Sequence, residues 1–179
     1  MKRAWQAVWI AAFLCLIAVL AQAQMQVPTP GPELKKLDYF VGTWNFDGDM
    51  KPGPMGPGGK MTGVEKNEWM QGGFFLVSHS EFKGAMGNGT GLAVMGYDPE
   101  AKVYTYNEFN SAGEAERSTG NVEGDTWTWT NEAKMGGAVM KGRFTVKVLS
   151  PTSYTFKFET SPDGTAWTTM MEGKGTKAK

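Results

Sequence analysis

The chain of 179 residues has one cysteine and one histidine, and its eighteen Lys and Arg balance its eighteen Asp and Glu. A single cysteine makes no intramolecular disulfide, and one imidazole without a cysteine cluster falls short of the four ligands of a structural zinc site. The charge balance leaves no basic footprint to neutralise several phosphates, which argues against a dedicated nucleic-acid binder. No Gly-x-Ser-x-Gly elbow occurs, and at strand spacing Ser78 and Ser80 face away from His79, so a Ser-His-Asp hydrolase lacks its parts. What is abundant is glycine, 24 residues, and methionine, 12 residues. Methionine fills irregular apolar space and adapts to variable ligands, and it also serves as a gap filler in a wide core. The methionines are scattered, with only Met170 and Met171 adjacent, a pattern that does not suit a thioether copper site.

Residues 1–23 read as a secretory signal peptide. Lys2 and Arg3 give a positive start, Val8 to Leu20 form an apolar run, and Ala21-Gln22-Ala23 is a small-x-small cleavage site. The apolar run is short of the roughly twenty residues needed to span a bilayer, so no membrane span is expected after cleavage. Removal takes the only cysteine and two positive charges, which leaves a slightly acidic, thiol-free chain suited to a periplasmic or extracellular location. Residues 24–31, with Pro28 and Pro30, read as a flexible leader, 32–176 as one domain and 177–179 as a tail.

Pro32 opens a short segment with apolar Leu34, Leu37 and Phe40, which predicts a short amphipathic helix. From Val41 onward, polarity alternates in runs separated by turn signals such as Asp98-Pro99-Glu100, Glu123-Gly124-Asp125 and Ser161-Pro162-Asp163-Gly164. In Thr126-Trp127-Thr128-Trp129-Thr130 both indoles share one face and the threonines the other. Tyr154, Phe156 and Phe158 alternate in the same way with Thr155, Lys157 and Glu159. A meander of strands apolar on one side hides that side by stacking as a sandwich or closing as a barrel. Short connections and the removal of open edges favour an all-β, up-and-down antiparallel β-barrel of about ten strands, with the N-terminal helix closing one end.

Several stretches carry a family resemblance: GPELKKLDYFVGTW from Gly31, GGFFL from Gly72, GLAVMGYDPEAKVY from Gly91, STGNVEGDTWTWT from Ser118 and SYTFKFETSPDG from Ser153. Together they resemble the bacterial family known as domain of unknown function 1579. The resemblance implies a lipocalin-like (calycin) barrel and brings no catalytic residues. Related calycin barrels include haem binders resembling nitrobindin, with an axial histidine near the C-terminal end. Residues 166–176 have none here, so His79 would have to serve from another strand.

The remaining candidate is the interior. Trp44, Phe46, Tyr106, Trp127, Trp129, Phe144, Tyr154, Phe156 and Trp167 are expected to converge there, and a barrel of this size can enclose one small ligand. Arg117 is the candidate anchor for a ligand carboxylate, and His79 the one candidate imidazole. The close pairs Glu65 and Glu68, Glu114 and Glu116, and Asp47 and Asp49 read as solvent-facing rows or turns. The Gly/Pro stretch from Lys51 to Gly59 reads as a mobile loop at the barrel mouth. The expected function is non-covalent binding of a small apolar or amphipathic molecule. The alternatives are a filled barrel that acts through its surface and a haem-binding protein; no other cofactor or metal is expected.

Overall fold

In the computed structural model, residues 28–53, 56–84, 87–135 and 137–179 are described, with Met135 by its backbone alone. The signal peptide, residues 24–27 of the leader, Pro54 and Met55 of the Gly/Pro loop, and Met86 and Gly136 of the turn signals lie outside these residues.

A nine-residue 3-10 helix, η1 (Pro32–Phe40), precedes ten strands: β1 (Gly42–Met50), β2 (Gly59–Trp69), β3 (Leu76–Gly84), β4 (Gly87–Asp98) and β5 (Val103–Asn110), then β6 (Ala115–Glu123), β7 (Thr126–Met135), β8 (Ala138–Ser150), β9 (Ser153–Ser161) and β10 (Thr168–Lys177). Each strand pairs antiparallel with its sequence neighbours, and β1 pairs with β10 from Trp44–Lys177 to Met50–Met171. The ring is therefore a closed up-and-down barrel, not a sandwich, and every strand edge is used.

The turns follow their residues. Between β6 and β7 the loop is Gly124-Asp125, and Gly124 at φ 59° takes the first position of a two-residue hairpin turn, where a positive φ is needed. Pro32 starts the helix, as its fixed φ permits. The helix buries Leu34, Leu37 and Phe40 in the main apolar cluster, beside Trp44, Leu76, Tyr104, Trp127 and Tyr154. Phe40 meets Trp127 edge-on at 5.3 Å between ring centroids. The last turn of a helix leaves carbonyls without partners. Here the Phe40 carbonyl accepts from Trp44 Nε1 at 2.8 Å and Asn67 Nδ2 at 3.0 Å. Tyr104 donates to the Glu33 carbonyl at 3.0 Å and Trp69 Nε1 to the Asp38 carboxylate at 2.8 Å. Three barrel strands thus hold the helix through polar contacts placed by β1, β2 and β5.

Aromatic rings lie against glycines of the neighbouring strand on the inner face. A side chain at Gly63 would meet Phe46, one at Gly120 would meet Trp129, and one at Gly175 would meet Tyr154. The missing Cβ atoms let large rings lie flat on the wall, which is one use of glycine inside strands.

Candidate functional site

Burial alternation along the strands, together with the pairing register where a strand such as β5 alternates weakly, identifies the inner rows. On β7, β8, β9 and β1 that row carries aromatic rings: Trp127, Trp129, Phe144, Tyr154, Phe156 and Phe46, with Phe144 stacked on Phe156 at 5.8 Å. On β2, β3, β5 and β6 it carries polar residues, Glu65 and Asn67, Ser78 and Ser80, Tyr106 and Glu108, Glu116 and Ser118, beside apolar Trp69, Leu76, Phe82 and Tyr104. The inner face therefore has an aromatic wall and a mixed wall made acidic by three glutamates. Tyr106 joins them, its ring 5.7 Å from Trp129 and its hydroxyl donating to Glu108 at 2.6 Å.

The three glutamates of the acidic wall each accept a hydrogen bond from a hydroxyl. Ser78 donates to Glu65 at 2.7 Å, and on β6 Ser118 donates to Glu116 at 2.6 Å. Burial raises the Glu65 pKa above the usual carboxylate range, against the lowering effect of Ser78 and Asn67. Burial also raises Glu108; its bond from Tyr106 works the other way, while the charges of Glu116, Glu65 and Glu114 add to the rise. Tyr106 is pushed well above its ordinary value, first by burial and then by the Glu108 charge. Glu65, Tyr106 and Glu108 are deeply set, yet each keeps part of its surface open to solvent.

A carboxyl whose folded pKa is raised binds its proton more tightly in the native state. Stability is then highest in acid and falls as pH climbs from the ordinary carboxylate range through the raised values. Glu65→Gln and Glu108→Gln should each flatten that fall. Urea unfolding across pH 4 to 8 is expected to show a gain of about 1 kcal/mol for each variant at the alkaline end, the scale on which an imperfectly solvated polar group weighs against folding. Unchanged pH profiles would mean that neither carboxyl is perturbed.

Trp44, Phe46, Tyr106, Trp127, Trp129, Phe144 and Phe156 all stand on the inner row, as expected. They do not form one surface. Trp44 is 0% and Trp127 3% exposed, packed against the helix, whereas Phe46, Tyr106 and Phe144 keep accessible area farther along the lumen. Two expectations are corrected. His79 and Arg117 are exposed on the outer face, because Ser78 and Ser118 beside them point inward. Arg117 therefore does not anchor a ligand inside the barrel. A haem in the lumen would find no imidazole there either, so the residues present do not fit histidine-ligated haem.

Trp167 is corrected as well. It lies in the hairpin after β9, with the Arg143 guanidinium stacked 4.0 Å from its ring centroid. Glu65 is a fourth correction, since it stands inside rather than in a solvent-facing row, and Glu108 was missed. A sequence signal existed for both. Glu65 shares strand parity with Asn67 and Trp69, and Glu108 with Tyr104 and Tyr106.

Outside the lumen, His79, Leu92 and Phe109 border a shallow groove of about 420 Å³ on β3 to β5. Among the described residues no three His, Cys, Asp or Glu side chains converge to hold a metal ion, and no helix is long and apolar enough to cross a membrane.

Solved structures share the fold at low identity. Rv2717c from M. tuberculosis superposes with a TM-score of 0.58 at 12% identity, over 84% of this chain and 99% of that one. The S-type phycobiliprotein lyase CPES from Guillardia theta gives a TM-score of 0.51 at 8% identity, over 81% and 92%. No curated protein matches the sequence significantly. Residues 29–177 match the family described as protein of unknown function (DUF1579), to which this chain belongs.

Proposed function

We propose that the protein is an exported, non-catalytic binding protein that holds a small apolar or amphipathic molecule inside the barrel. In this reading η1 covers one end and the ligand enters from the other. The observation that carries it is the inner face of the closed ring of strands, on which Phe46, Phe144, Tyr106, Glu65 and Glu108 keep part of their surface open to solvent. An aromatic surface with a few polar anchors is the usual composition of a ligand pocket. Retaining buried carboxyls that weigh against folding is the kind of local cost that marks functional sites. The signal-peptide pattern of residues 1–23 supports export.

A thermal-shift screen with lipids, retinoids and haemin tests the reading. A ligand present at a hundred times its Kd adds about 2.7 kcal/mol to the folded state. For a domain of this size that corresponds to a rise of roughly 8 °C in Tm. At least one apolar or amphipathic compound should give such a rise, and haemin should give no Soret band of a histidine-ligated haem. A midpoint that no such compound moves would instead favour a barrel acting through its surface.

A further inference from the structure

We infer that the barrel carries a redox-active tyrosine: Tyr106 is where a one-electron oxidation of the aromatic core comes to rest, its proton passing to Glu108. Such a site needs no bound ligand and is independent of the binding role. A phenol gives up an electron near neutral pH only as its proton leaves, so the group that receives the hydroxyl hydrogen decides which tyrosine is oxidised. The chain has five tyrosines. Tyr106 donates to the Glu108 carboxylate at 2.6 Å, a charge-assisted bond to a base on the same face of the same strand. Tyr39 donates to the Ser150 and Ser153 carbonyls and Tyr104 to the Glu33 carbonyl, and an amide oxygen is too weak a base to take the proton. Among the described residues Tyr106 is the one tyrosine that donates to a carboxylate. Burial also disfavours the charge on Glu108, so a proton gained there relieves a cost.

The indoles beside Tyr106 supply the other half of the site. The Tyr106 ring lies 5.7 Å from Trp129, and Trp129 is stacked on Trp127 at 6.1 Å with the two planes 12° apart. Separations of this size belong to rings in direct contact, and electron exchange weakens steeply with distance, so a hole on either indole has a short path to Tyr106. Trp129 also packs on Gly120 of β6, which sets its ring against strand backbone, one sheet's thickness from solvent. The step balances once an outer-sphere one-electron oxidant of high potential, itself reduced, has taken an electron from an indole. Trp129, as its radical cation, takes one electron from Tyr106 and is restored. The O–H bond of Tyr106 breaks, the proton forms a new O–H bond on the Glu108 carboxylate, and a neutral tyrosyl radical remains. A thiol would compete for the oxidising equivalent, but the only cysteine is Cys15, ahead of the barrel. Tyr106 thereby spares the indoles, whose radicals go on to irreversible oxidation when left in place.

Flash photolysis of tris(bipyridyl)ruthenium(II) with persulfate, in the presence of the full chain at mildly alkaline pH, generates such an oxidant. Transient absorption should show an indole radical first, and the electron paramagnetic resonance spectrum should then show one tyrosyl radical. Tyr106→Phe should abolish the tyrosyl signal and leave the indole radical in its place. Glu108→Gln keeps the shape without the base and should slow tyrosyl formation about a hundredfold, the lower end of what a positioned proton acceptor contributes. Trp129→Phe should lower the tyrosyl yield, and Tyr39→Phe should change nothing. High-field g values need no substitution, because they report whether the phenoxyl oxygen accepts a hydrogen bond. A wild-type tyrosyl that accepts one supports Glu108 as the holder of the proton, and one that accepts none overturns it. A tyrosyl signal that survives Tyr106→Phe, or a rate unmoved by Glu108→Gln, overturns the assignment of the site. A yield unmoved by Trp129→Phe overturns delivery through the indoles.

Discussion

Trp44→Ala should lower the free energy of unfolding by about 4 kcal/mol, in the range for truncating a large buried aromatic. Average domains have 5–15 kcal/mol in total, so this is a large share. Three losses combine at one position. The indole has no exposed surface, and its ring lies 5.0 Å from Tyr154 and 5.3 Å from Tyr39, so truncation leaves a cavity that a closed ring cannot collapse to fill. Its Nε1 donor disappears from the Phe40 carbonyl, which keeps only Asn67. The β1 anchor of η1 goes with it. Trp44→Phe keeps most of the apolar contact and loses the donor, so about half of the effect should remain. Urea unfolding followed by far-ultraviolet circular dichroism checks both variants, and a loss below about 1 kcal/mol for the alanine would show that the helix is not held through this residue.

Gly173→Ala comes next, at about 3 kcal/mol, the upper part of the range for overpacking. Its strand pairs with Gly48 of β1 on one side and Phe156 of β9 on the other. An added methyl would meet the Asp47 carbonyl oxygen, the tip of Phe156 and the Gly48 Cα. Two of these atoms belong to the backbone of the neighbouring strand, and they cannot move without opening the β1–β10 seam. Gly89→Ala provides the comparison. The three nearest atoms to the added methyl there all belong to the Phe82 side chain, which can shift more cheaply than backbone, so a cost nearer 1 kcal/mol is expected. A difference in Tm of several degrees between the two variants follows. Equal midpoints would remove the distinction between backbone and side-chain obstruction on which the prediction stands.

How much of this was legible beforehand varied from strand to strand. Around Trp127 and Trp129 the contrast with the flanking threonines is strong, and both indoles are buried as the alternation requires. The sequence of β3 gives no such contrast. Phe75 and Val77 share the parity of His79, while Ser78 is 2% exposed and faces inward, so polarity points the wrong way for the row. The acidic wall was hidden for a related reason. A glutamate in an alternating strand reads as solvent-facing because most are, and Glu65 faces inward only because its partners Trp44 and Ser80 lie on the inner face of the closed ring. Closure is a long-range fact about register, and no local window contains it. Parity with aromatic neighbours was the usable signal: Tyr104, Tyr106 and Glu108 form one row.

The seam between β1 and β10 also governs how the chain can fold. Hairpins from β2 to β9 pair with sequence neighbours and can form as local units, but Trp44 meets Lys177 only after everything between them has been threaded into place. Loop-closure entropy and a high mean separation between contacting residues slow such a step. Until the seam closes, both edge strands present open backbone groups and the aromatic wall has no opposite side, so the half-built ring is the species most prone to associate with its own kind. Gly48 and Gly173, paired across that seam, let the last two strands approach without side chains to clear. Their small size therefore favours closing of the last seam as well as the stability of the finished barrel.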